Sequence, residues 1–129
     1  MNWIEVAIVV VVVGYLAYRM LPVKGVKSIS PDEVQALLSK DKATVQFVDV
    51  REPGEFSTGH VPGFKNIPLS QLKSRLNEMN TERPVVLMCR SGSRSQQAAR
   101  TLVKQGFTDV RNASGGIMAW KGRKEKVMG

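Results

Sequence analysis

The chain has 129 residues, 43% of them hydrophobic and 23% charged, which leaves room for about one globular domain of ordinary folded composition. Its single cysteine excludes an internal disulfide and so a disulfide-stapled secreted module. With 19 basic and 11 acidic side chains the net charge is +8, which points to anionic contacts without choosing among nucleic acid, an acidic membrane surface and small substrates.

From Val6 to Tyr18 the chain reads VAIVVVVVGYLAY without a charge. A helix from Met1 to Leu21 would be about 31 Å long, enough for a hydrocarbon core of roughly 30 Å. The sequence therefore predicts one transmembrane anchor over residues 1–21. Glu5 and Arg19 would lie near the two interfaces, with Trp3, Tyr15 and Tyr18 as amphipathic anchors. Glu5 stands where a cleavable signal peptide would carry positive charge, and no small-x-small site follows, so the anchor is expected to stay attached. Arg19, Lys24 and Lys27 come just after the run. By the positive-inside rule they place the following domain on the cytoplasmic side of the cell membrane, in a single-pass arrangement.

Residues 22–27 read as a Pro/Gly/Lys linker, 28–122 as a globular domain and 123–129 as a solvated basic tail. Ser30-Pro31-Asp32-Glu33 combines an N-cap serine, proline at N1 and glutamate at N3, predicting a helix from Pro31 to about Ser39. Val45 to Val50 reads as a buried strand, Lys65 to Ile67 as a short strand, Ser70 to Met79 as a helix and Val85 to Met88 as a central strand. A helix from Ser93 or Arg94 to Gln105 is closed by Gly106. Asp109 to Arg111 then reads as an edge strand and Gly116 to Lys121 as a last short helix. This alternation predicts an α/β domain whose central, largely parallel sheet is flanked by helices.

Ligands of open parallel sheets gather beyond the C-terminal ends of the strands, where two segments carry reactive residues. Directly after Val85–Met88 comes Cys89-Arg90-Ser91-Gly92-Ser93-Arg94, running into a helix. A loop of small residues entering a helix N-terminus aims several N–H groups and the positive end of the helix dipole at one spot, and Arg90 and Arg94 add full charges. These features favour a thiolate, making Cys89 the candidate nucleophile rather than a small buried hydrophobe. With four residues between Cys89 and Arg94, the cradle suits a single small anion better than a phosphate ester. The second segment holds Asp49 at a strand end, then Arg51, Glu55 and His60. Asp49, Arg51 and Glu55 are expected to form a charged network that orders the loops. His60, in a Gly-His-Val-Pro-Gly turn, reads as a hydrogen-bonded structural residue rather than a general base.

Four features together resemble a single-domain rhodanese: Asp49-Val50-Arg51-Glu52 with Glu55-Phe56, Gly59-His60-Val61-Pro62-Gly63 with Asn66-Ile67-Pro68, Cys89 to Arg94, and Gly115-Gly116-Ile117 with Trp120. They span nearly the whole domain, with the anchor outside the likeness. The resemblance implies a rhodanese-like fold, Cys89 as the residue that becomes a persulfide, and Arg90, Ser91, Gly92, Ser93 and Arg94 as its cradle. It also implies a sulfurtransferase that takes sulfane sulfur from a small anion such as thiosulfate and hands it to cyanide or to a small-molecule or protein thiol. Neither a cofactor nor a metal is expected. A tethered, non-catalytic binding module is the alternative, and phosphatase or arsenate-reductase chemistry would call for a cradle longer by a residue. Nucleic acid is not an expected partner, because the basic residues are scattered and no stacking aromatics accompany them.

Overall fold

The computed structural model describes residues 2–20 and 24–127, apart from the side chains of residues 19 and 20. Helix α1, Trp3–Met20, has 18 residues and a length of about 27 Å. Among the described residues no helix is long and apolar enough to cross a membrane. The expected span from Met1 to Leu21 draws on ends that lie outside the described residues, as do the first two residues, 22 and 23, of the expected linker. Along α1 the large apolar side chains are exposed, Trp3, Val11 and Tyr18 at 79%, 69% and 61%. α1 meets the rest of the chain at Arg100, whose guanidinium lies 5.1 Å from the Tyr18 ring centroid and donates to the Tyr18 carbonyl at 3.2 Å.

The domain proper is a five-stranded, wholly parallel sheet in the order β1-β5-β4-β2-β3. Its strands are β1, Val26–Ile29; β2, Gln46–Asp49; β3, Lys65–Asn66; β4, Val85–Met88; and β5, Val110–Ala113. Three helices accompany it: α2, Pro31–Lys40; α3, Pro53–Thr58; and α4, Ser93–Lys104. Helix α2 starts where its capping signals put it. Ser30 Oγ accepts from the Glu33 amide at 3.2 Å, and the Glu33 carboxylate accepts from the Ser30 amide at 3.4 Å.

Period-two alternation along β4 divides the core. Val85, Leu87 and then Cys89 join one apolar cluster with Ala98, Ala99 and Leu102 of α4, whereas Val86 and Met88 join the opposite cluster with Val34, Phe47 and Trp120. Each fully buried Val or Leu contributes about 1.5–3 kcal/mol, so β4, buried on both faces, is the central beam of the sheet.

Several expectations need correction. Strand β1 begins at Val26, inside the expected linker, and pairs with β5 from Val26↔Val110 to Ile29↔Ala113, so β5 is an inner strand and β1 the edge. The segment expected to be helical from Ser70 to Met79 forms two 3₁₀ stretches, Leu69–Gln71 and Lys73–Glu78, and the second is kinked where Arg75 leaves helical geometry at φ −118° and ψ 18°. The last helix is a 3₁₀ turn over Gly116–Ala119. Helix α3 was absent from the expectation, although Pro53 stands at its first turn and the Glu52 amide donates to Glu55 Oε1 at 3.2 Å, a readable start signal. The basic tail is partly docked: the His60 and Glu125 backbones exchange two 2.9 Å hydrogen bonds, and the Val127 amide donates to the Ser57 carbonyl.

Candidate functional site

In chain order, the connection from β2 leads outward to β3 and the one from β4 leads the other way to β5, so β2 and β4 diverge as neighbours. At such a switch point the loops after the strands separate and leave a crevice. Asp49 closes β2, and Cys89 directly follows β4 in that crevice.

Cys89 is 1% exposed, and its Sγ is held from two sides. The Gly92 amide donates to it at 2.8 Å, and the thiol donates to Ser95 Oγ at 3.3 Å. Gly92 has φ 113°, a left-handed conformation that L side chains rarely adopt, and it turns the chain from the loop into the 12-residue α4. The sulfur therefore accepts from the Gly92 N–H at the N-terminal, positive end of α4, an environment that favours negative charge there. Ser95 and Asn112, both buried, lie behind the sulfur: Ser95 Oγ is 3.0 Å from the Gly92 carbonyl and 2.5 Å from Asn112 Oδ1.

The two arginines of the loop have different surroundings. Arg94 forms a two-pronged pair with Glu55, Nη1 to Oε1 at 2.5 Å and Nη2 to Oε2 at 2.8 Å, tying α4 to α3. The hydrogen bonds from Arg94 hold the Glu55 carboxyl down at about 2, well below its ordinary value. Arg90 is exposed and, among the described residues, has no ion-pair partner. The free positive charge of the loop is thus at Arg90, not shared equally with Arg94. Ser91 and Ser93 are exposed at the rim and border, with Gln96 and Asn112, a polar groove of about 350 Å³ beside the loop.

Asp49 and Arg51 form a buried pair, with Arg51 Nη2 2.9 Å from Asp49 Oδ2. Arg51 also donates to the Gly59 carbonyl at 2.8 Å and, at the edge of hydrogen-bond distance, to the Glu55 carbonyl. Asn66 Nδ2 donates to the Asp49 and Arg51 carbonyls at 3.0 and 2.9 Å. The pair is a brace beneath α3 and reaches Glu55 through its backbone. His60 stands apart: its ring stacks on Phe56 at 3.7 Å, Nδ1 is 2.9 Å from the Phe56 carbonyl and Nε2 is 3.3 Å from Glu125 Oε1. It closes the α3 turn and holds the tail. Among the described residues no group of three His, Cys, Asp or Glu could hold a metal ion.

Local reading of the sequence missed two contributors. Ser95 and Asn112 carry no motif of their own. Gly116, which the sequence marks as the start of a short helix and as part of the Gly115-Gly116-Ile117 feature, packs against the loop, and the amides after it hold that loop: the Ile117 amide donates to the Cys89 carbonyl at 2.8 Å and the Met118 amide to the Arg90 carbonyl at 3.2 Å. A Cβ on Gly116 would stand 2.4 Å from the Cys89 carbonyl oxygen and 2.5 Å from that of Arg90, so glycine there is required by contact. The Gly-Gly-Ile spacing was the available signal.

The model of the rhodanese-like domain family matches residues 30–123. An uncharacterized protein, YqhL of Bacillus subtilis, is 46% identical over 97 residues, covering 75% of this chain and 74% of its own. Thiosulfate sulfurtransferase GlpE of Pseudoalteromonas translucida is 36% identical over 94 residues, covering 72% of this chain and 90% of its own. Among solved structures, a rhodanese-like domain protein from Staphylococcus aureus superimposes with a TM-score of 0.72 at 34% identity, over 79% of this chain and 99% of that one.

Proposed function

The chain belongs to the rhodanese-like sulfurtransferase family and is a rhodanese-type enzyme, and on that premise we propose that Cys89 carries sulfane sulfur from a small anionic donor such as thiosulfate to a thiol or cyanide acceptor. The observation that carries this reading is the placement of Cys89 Sγ 2.8 Å from the Gly92 amide at the N-terminus of α4. There the loop stabilises an anionic sulfur before and after loading.

Arg90, exposed and unpaired among the described residues, meets the incoming anion. The Cys89 thiolate attacks the outer sulfur of the donor; the Sγ–S bond forms, the S–S bond of the donor breaks, and sulfite leaves with the electron pair. The persulfide anion rests in the loop. An acceptor thiolate or cyanide then attacks the outer sulfur, and the pair returns to Sγ. Because Cys89 is the chain's only cysteine, no internal thiol can resolve the persulfide, so the sulfur leaves to an outside acceptor. Intact mass spectrometry of the full chain with and without thiosulfate tests this. The expected result is the gain of one sulfur atom, discharged by cyanide and absent from Cys89→Ser. No uptake by folded, reduced protein overturns the reading in favour of a tethered binding module.

The proposal includes a membrane setting. Helix α1 exposes apolar side chains all around, and a helix of that kind is normally covered by protein or lipid. α1, by itself too short to cross, is then the described part of the expected anchor over residues 1–21, and that anchor embeds in a bilayer as a single pass, with Lys24 and Lys27 keeping the catalytic domain on the cytoplasmic side. Retention of the full chain in the membrane fraction, with release by detergent but not by high salt, is expected. Free solubility without detergent overturns this part and leaves the chemistry intact.

A further inference from the structure

We infer that Ser95 is a further catalytic residue, its hydroxyl changing from hydrogen-bond acceptor to donor toward Cys89 Sγ as that sulfur gains negative charge, with Asn112 as the positioning residue behind it. The inference rests on the persulfide reading and assigns the group that meets the charge on the inner sulfur.

Ser95 is fully buried in the first turn of α4, and its Oγ lies 3.3 Å from Cys89 Sγ, 3.0 Å from the Gly92 carbonyl and 2.5 Å from Asn112 Oδ1. A hydroxyl has one proton and can donate to only one of these partners at a time, while its lone pairs accept. In the resting thiol, S–H donates to Ser95 Oγ and the serine proton goes to Asn112. Once the thiol proton has left to solvent, Ser95 Oγ would face the sulfur anion lone pair against lone pair. Rotation about a single bond turns its O–H onto the sulfur and removes that repulsion.

The surroundings allow the turn. The Gly92 amide holds Sγ from the other side in either state. When the serine turns away the Gly92 carbonyl keeps the Gln96 amide at 3.2 Å, and a half-turn of the Asn112 side-chain amide presents Nδ2 in place of Oδ1 to Ser95 Oγ, so the two oxygens are not left lone pair against lone pair. Asn112 itself lies among residues of the apolar core, where a polar side chain is retained only with partners.

In the first half-reaction the hydroxyl supports the attacking thiolate. When the Sγ–S bond has formed and sulfite has left with its electron pair, the charge sits on the outer sulfur and the hydroxyl returns to Asn112. In the second, the acceptor takes the outer sulfur, the electron pair returns to Sγ, and the hydroxyl meets it again. The same group thus serves nucleophile and leaving group.

Alkylation of Cys89 by iodoacetamide in the full chain, held in detergent micelles, tests this separately from sulfur transfer. Ser95→Ala should slow alkylation at neutral pH by about tenfold, the worth of one hydrogen bond to a charged atom. It should leave the rate at strongly alkaline pH unchanged, since there the thiol is ionised with or without the serine. Cyanide discharge of the loaded protein should slow by a similar factor. An unchanged neutral rate, or an equal loss at both pH values as a distorted loop would give, overturns the role of Ser95. The double variant Ser95→Ala with Asn112→Ala should alkylate no more slowly than Ser95→Ala alone, and a further loss overturns the assignment of Asn112. If Ser95→Ala does not fold, Asn112→Ala carries the test: its removal should alter the neutral rate and spare the alkaline one, and equal changes at both count against the relay. A parent that alkylates as expected but takes up no sulfur overturns the transfer reading and leaves the serine assignment standing.

Discussion

Two arginine–carboxylate pairs flank the nucleophile, and they differ in almost everything but chemistry. Asp49–Arg51 is sealed, with side chains 0% and 6% exposed, and joins residues two apart at the end of β2. Glu55–Arg94 is about a third exposed and joins residues 39 apart, α3 to the first turn of α4. A buried pair has lost its hydration and depends on its partner, whereas a half-exposed pair keeps water as a substitute. The first is therefore a brace on which the scaffold depends. The second is a clamp that sets the position of the Cys89 loop at little cost to the fold.

The contrast can be broken at its strong end first. Asp49→Ala leaves the Arg51 guanidinium buried without its counter-ion and should cost about 3–5 kcal/mol in urea unfolding at neutral pH. A loss below about 1 kcal/mol would make the two pairs equivalent. Gly116→Ala pushes the same loop at the Cys89 and Arg90 carbonyls: with φ at 58° and the Cys89 carbonyl 2.4 Å from the new Cβ, it should cost about 1–3 kcal/mol. Sulfur uptake followed by mass should fall with it, because the loop moves. Glu55→Gln, releasing the clamp, should cost no more than about 1 kcal/mol while slowing sulfur uptake, a split the brace cannot show.

The smallest effect lies in acid. Because Arg94 lowers the Glu55 carboxyl from 4.5 to about 2, its contribution is complete above 4.5 and is lost as pH falls toward 2. Parent and Glu55→Gln should therefore converge in stability over that window, as followed by urea unfolding at stepped pH. A gap that stays constant through it would mean that the clamp is not electrostatic.

What could be read in the sequence was what is local. Ser30 and Glu33 announce α2 within four residues, and the β4 strand with its Cys89–Arg94 loop and helix announces the site within one stretch. The rest depends on partners far along the chain. Strand β1 is four residues whose only reason to be extended is β5, some 84 positions later, so it was indistinguishable from linker. Nothing next to Asn112 marks it as facing Ser95, and nothing next to His60 shows that Glu125 will lie beside it. The 3₁₀ stretches at 69–78 show the other limit, since a helical apolar pattern does not reveal a break at a residue such as Arg75. Helix α3 is different, because its proline and Glu52–Glu55 signals were present and outweighed by the loop-like Gly and Pro around them.

The depth of Cys89 has a consequence for its visitors. A sulfur only 1% exposed, one residue past β4 and held by the Gly92 amide, cannot be approached by a flat surface or a globular flank. Whatever delivers or collects the sulfur has to narrow to the width of one atom chain where it enters, as a thiosulfate ion, a cyanide or the single methylene of a cysteine on a protruding turn does. Selection at this site then operates by girth before it operates by charge.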